Sequence, residues 1–183
     1  MQTTHLDSLR AAIRERSTAE PPPPWIRMAT FAIAGLLEVG FSRESEHLLI
    51  ASSSGRGVID CACGEQVARD YSEYPSTDRY LECQGIGPLA GESIRMSGMS
   101  GGGLASGTVD GWVTEAVSLD WPNHHLLLVE PDSWLYGARY SRPSSFHKLA
   151  TASELRAFGF SYSGLTLIIA AASDVTIYRR EHA

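Results

Sequence analysis

No stretch of the 183-residue chain is long enough to cross a membrane as an apolar helix. The longest apolar run, Leu165 to Ala172, has the length of a buried strand instead. The opening MQTTHLDSLRAAIRERS has no apolar core of the secretory kind, so no signal peptide is predicted. Cysteine is scarce. Three residues, an odd number in a chain of this length, make no disulfide framework and point to a reducing, cytoplasmic setting. An excess of positive charge is also missing. Fifteen Lys and Arg against 21 Asp and Glu leave a net charge of −6, which excludes broad contact with a nucleic-acid backbone and suits a basic protein partner.

What is present is an ordinary globular composition, 43% apolar and 20% charged, in a length that fits one domain with an appended arm. Residues 6–16 place Leu6, Leu9, Ala12 and Ile13 on one helical face, with Arg10, Arg14, Glu15 and Arg16 around the other. A helix this short must dock or fray. Pro21 to Pro24 reads as an extended, stiff linker, so residues 1–24 are expected to form an arm and 25–183 a single β-rich domain. Trp25 to Leu37 carries signals for both helix and strand, and a strand leading into the next unit is the favoured reading.

That unit, VGFSRESEHLLIASSSGRGVID from Val39 to Asp60, reads as strands separated by tight turns. Gly55 and Gly64 supply the positive backbone angles that such turns require. A close copy, FGFSYSGLTLIIAAASDVTIY, runs from Phe158 to Tyr178, and a looser one, AVSLDWPNHHLLLVEPD, from Ala116 to Asp132. Leu48 to Ile50, Leu126 to Val129 and Leu167 to Ala170 do not alternate apolar with polar residues. Both faces of these strands are therefore expected to be covered, as in sheets stacked face to face.

The sequence from Gly40-Phe41-Ser42 through the Leu48-Leu49-Ile50-Ala51 run and the Ser-rich hairpin resembles a blade of a WD-repeat-type β-propeller. The resemblance implies units of about 40 residues, and Phe41 and Phe160 are separated by close to three such periods. Val117-Ser118 replaces Phe-Ser in the middle copy. No Trp-Asp dipeptide closes any unit. A Gly-rich region, Leu81 to Gly103, has room for a degenerate fourth. The expected fold is thus mainly β, with antiparallel blade-like meanders in a partial propeller or a β-sandwich and a short N-terminal helix.

Candidate chemistry is sparse. Gly98-Met99-Ser100-Gly101-Gly102 satisfies G-x-S-x-G, with Asp110 or Asp120 and then His124 or His125 downstream in α/β-hydrolase order. The Gly-rich continuation GGGLASGTVDGW is not the helix that such a nucleophile needs. Gly85-Ile86-Gly87-Pro88-Leu89-Ala90 fits G-x-G-x-x-A only as a turn, since Pro88 removes the phosphate-binding helix start. Cys61, Cys63, Cys83 and one of His124 and His125 form at most a thin zinc set, and small core cysteines are the commoner case. Neither metal nor cofactor is expected.

Aromatic residues cluster instead. Trp112, Trp121, Trp134 and Tyr136 fall among turn signals, beside Asp120 and Asp132. Some of these must pack in the core, but Trp and Tyr shown on loops next to carboxylates are typical interface anchors. Trp112, Asp120, Trp121, Asp132, Trp134 and Tyr136 are therefore the candidate partner-binding residues. The expected role is a non-catalytic protein-binding module, such as an immunity or inhibitor protein blocking a toxin or enzyme. The alternatives are a small serine hydrolase using Ser100 and a structural subunit of a larger β assembly, and an oligomer is compatible with the composition.

Overall fold

The computed structural model describes residues 5–72 and 80–181; residues 1–4 of the arm and 182–183 of the β-rich body lie outside the described residues. The protein is mainly β, with antiparallel pairing throughout the named strands. One strand, β1 (Ile26–Ala32), precedes the first meander, which is β2 (Leu36–Phe41), β3 (His47–Ser52), β4 (Gly55–Asp60) and β5 (Glu65–Asp70). A short hairpin, β6 (Glu82–Gln84) and β7 (Ser93–Arg95), leads to β8 (Ser97–Gly98), which pairs with the free edge of β2. The middle sheet contains β9 (Val113–Asp120), β10 (Asn123–Val129) and β11 (Phe146–Ala152). The last is built from β12 (Leu155–Phe160), β13 (Thr166–Ala171) and β14 (Asp174–Arg179), and β1 returns to complete it.

The repeat is exact at the level of backbone hydrogen bonds. Strands β12, β13 and β14 have the bounds of β2, β3 and β4 moved by 119 positions, Leu36 becoming Leu155 and Asp60 becoming Arg179. The Ser42 N–H donates to the His47 carbonyl, and the Ser161 N–H donates to Thr166. Cys61 N–H reaches Glu46 as Arg180 N–H reaches Leu165. Gly55 and Gly64 have φ of 108° and 71°, the left-handed region that their turns demand.

Continuous apolar runs are explained by layering. In β3, Leu48 and Ile50 point at the last sheet, while Leu49 and Ala51 point at the β6–β7 hairpin, Leu89 and Ile94. In β13, Ile168 and Ala170 meet the first sheet and Leu167 and Ile169 meet the middle one. In β10, Leu126 and Leu128 face the last sheet, and Leu127 and Val129 face the helix α1 (His5–Glu15) through Ile13. The order through the molecule is therefore hairpin, first sheet, last sheet, middle sheet, helix. Each fully buried Leu or Ile in these runs contributes about 1.5–3 kcal/mol. The sheets stack without closing into a barrel, and a strap, residues 103–108, bridges β12 at Ala105 and β9 at Gly107. The Gly-rich stretch 81–103 forms the capping hairpin and β8, not a fourth meander.

Residues 26–32 form the strand expected to lead into the first unit; it pairs with β14, on the edge equivalent to the one that β5 takes on β4. One local expectation is corrected. The proline run is not a straight spacer. It turns at Pro23-Pro24, a cis peptide, and Trp25 N–H bonds to the Pro22 carbonyl as the indole enters the core. The helix before it docks through Ile13, 1% exposed, while Lys148 Nζ donates to the Ile13 carbonyl and Ala19 N–H to the Lys148 carbonyl.

Candidate functional site

The candidate residues divide by burial and by position. Trp112 is a correction: it is 6% exposed and packs edge-on against Trp25, with ring centroids 6.0 Å apart, inside the core between the last and middle sheets. It gains far more from that burial than from solvent and presents nothing to a partner. Trp121 is the opposite case, 84% exposed at the tip of the β9–β10 hairpin, where its ring meets His124 edge-on at 6.2 Å. Beside it, Asp120 accepts both prongs of Arg14 from α1, each at 3.1 Å, and the guanidinium holds this carboxyl below its ordinary pKa. Both partners are about half exposed, so the pair contributes little to stability. It does tie the helix to the hairpin tip.

Trp134 lies beyond the other end of β10. Seven residues of strand, about 20 Å, separate the two ends, so the loops that carry Trp121 and Trp134 are not neighbours. The 130–146 loop is cross-braced. Trp134 N–H bonds to the Pro143 carbonyl, Ser144 Oγ to the Leu135 carbonyl at 2.9 Å, and Arg142 N–H to the Gly137 carbonyl. Leu135, 1% exposed, anchors it against the middle sheet and α1. Glu130 and His147 close its base at 2.5 Å, and the imidazole holds the Glu130 carboxyl below the usual range. Asp132 is exposed on the same loop in a left-handed conformation, φ 59°.

On that frame sit three aromatic rings, with Trp134 in contact with both tyrosines. Trp134 stacks on Tyr140 at 5.1 Å and 17°, and meets Tyr136 edge-on at 6.0 Å. They are 43%, 52% and 37% exposed, and Arg139 lies 5.4 Å over the Tyr140 ring. The arrangement fixes three rings at little further entropic cost and leaves their outer faces in water, which is how binding anchors are presented. Tyr140 and Arg139 were not among the residues the sequence singled out. The short 3-10 turn Gly137–Tyr140 that folds Tyr140 back onto Trp134 leaves no periodic signal, although the Trp-x-Tyr-x-x-x-Tyr spacing ending at Ser141-Arg142-Pro143 could have drawn attention to it.

The nucleophile candidate is not assembled. Ser100 is in a tight turn in which Gly98 and Gly101 exchange backbone hydrogen bonds, on the first sheet's β8 edge, and its N–H donates to Glu38. His124 and His125 belong to the middle sheet, with the last sheet in between. The cysteines are equally dispersed. Cys61 faces the last sheet, Cys83 sits on the capping hairpin and faces the first sheet, and Cys63 is exposed; burial pushes the Cys61 thiol well up. A separate cleft of about 260 Å³ opens between the end of β1 and β3–β5, where Ser52, Ser54, Gln66 and Arg69 face Phe31 and Ile59. Arg69 there is already committed to the Ser54 carbonyl and to the Tyr71 ring.

Comparison with protein-family models, curated proteins and solved structures finds no match to the chain. No helix of the described residues is long and apolar enough to cross a membrane.

Proposed function

We propose that this protein is a non-catalytic protein-binding module whose contact face is the 130–146 loop. The observation that carries the reading is the solvent-facing ring trio Trp134, Tyr136 and Tyr140, held on a loop braced by backbone hydrogen bonds. Large rings fixed in place before binding lose little entropy when a partner covers them, and they dominate interface energetics. The repeated meanders, read as blade-like units of the propeller type, serve as the scaffold. A role as an immunity or inhibitor protein that covers the working surface of a toxin or enzyme suits such a face. Free Cys61, Cys63 and Cys83 suit a reducing, cytoplasmic compartment.

The test begins with co-purification of a partner from the native cell, followed by binding kinetics. Trp134→Ala and Tyr140→Ala should each weaken binding by about 2 kcal/mol, roughly thirtyfold, mainly through faster dissociation. Both variants must unfold at the parent's denaturant midpoint for the comparison to count. If both fold and bind like the parent, the ring trio is not the interface.

A further inference from the structure

Helix α1 separates two grooves of different electrical character. On one side, the groove toward β9 contains Arg10 and Arg14, and each is already matched: Arg10 by Asp7 at 3.4 Å and Arg14 by Asp120 at 3.1 Å. On the other side, a groove of about 280 Å³ runs between the helix and the 135–146 loop. Its walls are mainly apolar, with Leu9, Ala12, Leu135 and Phe146, and it shares Tyr136 with the ring trio. Among the described residues, the charged side chains lining it are Arg16 and Arg139. Among the described residues neither forms an ion pair. Arg16 donates to the Phe146 carbonyl and lies 4.3 Å over the Phe146 ring, and Arg139 lies over Tyr140. Both guanidiniums are thus held in place by uncharged partners, with their charge uncompensated.

We infer that this groove receives a short extended segment of the partner protein that carries an apolar side chain next to one or two carboxylates. The apolar side chain would lie against Leu9, Ala12 and Phe146, and the carboxylates would bridge to Arg16 and Arg139. Guanidiniums already oriented by ring and carbonyl contacts form two-pronged carboxylate bonds at reduced entropic cost. The overall charge of −6 does not oppose this. Solvent screening confines an exposed charge to about 8 Å at physiological salt, so the arginines nearest the groove set its local field. A basic partner drawn by the whole molecule can still dock through one acidic segment. The inference rests on the protein-binding reading and adds the chemistry of what is bound.

The experiment is selection of a phage-displayed random 12-residue peptide library against the folded chain, followed by affinity measurement on variants. Selected peptides should place Asp or Glu next to a large apolar residue. Their affinity should fall at least tenfold on Arg139→Glu and on raising salt, and Lys-for-Glu versions of the peptides should recover binding to Arg139→Glu. Peptides lacking acidic enrichment and indifferent to Arg139→Glu, yet weakened by Trp134→Ala, would overturn the groove chemistry while leaving the binding reading in place. Peptides indifferent to both Arg139→Glu and Trp134→Ala would remove both. Failure to select any peptide above background would overturn the groove as a site for a linear segment. Arg139 is exposed, so the charge reversal leaves the fold intact.

Discussion

Arg180 and Asp110 meet in a two-pronged ion pair across 70 positions of sequence, with Nη2 2.6 Å from Oδ1 and Nη1 bonded to Oδ2. The same guanidinium covers the Trp25 ring at 5.0 Å and donates through Nε to the Gly164 carbonyl. One side chain therefore seals the core edge where β1, the strap and β14 converge. Its bonds hold the Asp110 carboxyl well below the ordinary 3.8. Arg180 is buried, but the Asp110 side chain is half exposed, so solvent screens the pair. Asp110→Asn is expected to cost roughly 2 kcal/mol, between the values for exposed and buried pairs. A depressed carboxyl stabilises the fold above its unfolded pKa and loses that contribution as pH falls through the folded value. The parent should therefore lose stability relative to Asp110→Asn only below about pH 4. Urea unfolding of both proteins between pH 2 and 7 checks it, and parallel curves over that range would refute the account.

Two tryptophans nine positions apart should behave oppositely. Trp112→Ala opens a cavity against Trp25 and should cost about 3–5 kcal/mol. Trp121→Ala removes a ring that is 84% exposed and should change stability by no more than about 0.5 kcal/mol. Chemical denaturation of the two variants side by side decides it, and a comparable loss in both would mean that the hairpin tip is packed.

That contrast marks where sequence reading stops. Leu48, Leu127 and Ile168 could be placed as central and covered on both faces, because a run without alternation has few other solutions in an antiparallel protein. Phe41 and Phe160 could be matched because turns and strands are local features that a repeat preserves. Which tryptophan enters the core is not local. Trp112 and Trp121 stand in similar turn-rich contexts, and the difference comes from Trp25, which reaches Trp112 only after the proline run turns and β1 pairs with β14. A strand's partner about 150 residues away leaves no periodic trace. The binding candidates were accordingly half legible. Trp134 and Tyr136 were visible as loop aromatics, while Tyr140 joins them only through the 3-10 turn.

Glycines at equivalent places in the two close repeats should both be intolerant of a side chain. A Cβ on Gly40 would stand 2.4 Å from the Arg95 carbonyl oxygen, and one on Gly159 would stand 2.6 Å from Leu104 Cβ and 2.7 Å from the Ala105 carbonyl oxygen. In both repeats another chain segment crosses the sheet at the glycine before the Phe-Ser pair. The obstacles include backbone atoms that cannot rotate away. Gly40→Ala and Gly159→Ala are each expected to destabilise by about 1–3 kcal/mol or more. Thermal melts that leave either variant at the parent's midpoint would show that the crossing segments can shift.

The final expectation concerns acid sensitivity under the helix. His125 is 7% exposed on the face of β10 that α1 covers; its Nδ1 is 3.4 Å from Thr151 Oγ1, and Nε2 is buried with no hydrogen-bond partner among the described residues. Burial lowers its pKa from the ordinary 6.5, and Lys148 and Arg14 act in the same direction, while Asp120 opposes them. Glu115, on β9, is shifted upward by its own burial and acts with the opposite sign, favouring the fold as pH falls. A histidine whose folded pKa is depressed binds its proton first in the unfolded chain. Stability should therefore decline as pH drops below about 6.5 and level off below the folded value, since a charged imidazole beside buried Lys148 is disfavoured. His125→Gln keeps a polar side chain without the titration, so the difference between parent and variant isolates this group from Glu115 and Asp120. Denaturant midpoints measured from pH 8 to pH 5 should fall more steeply for the parent. Equal slopes would mean that water or a rearranged Thr151 satisfies the imidazolium, and that the helix–sheet contact is insensitive to acid in this range.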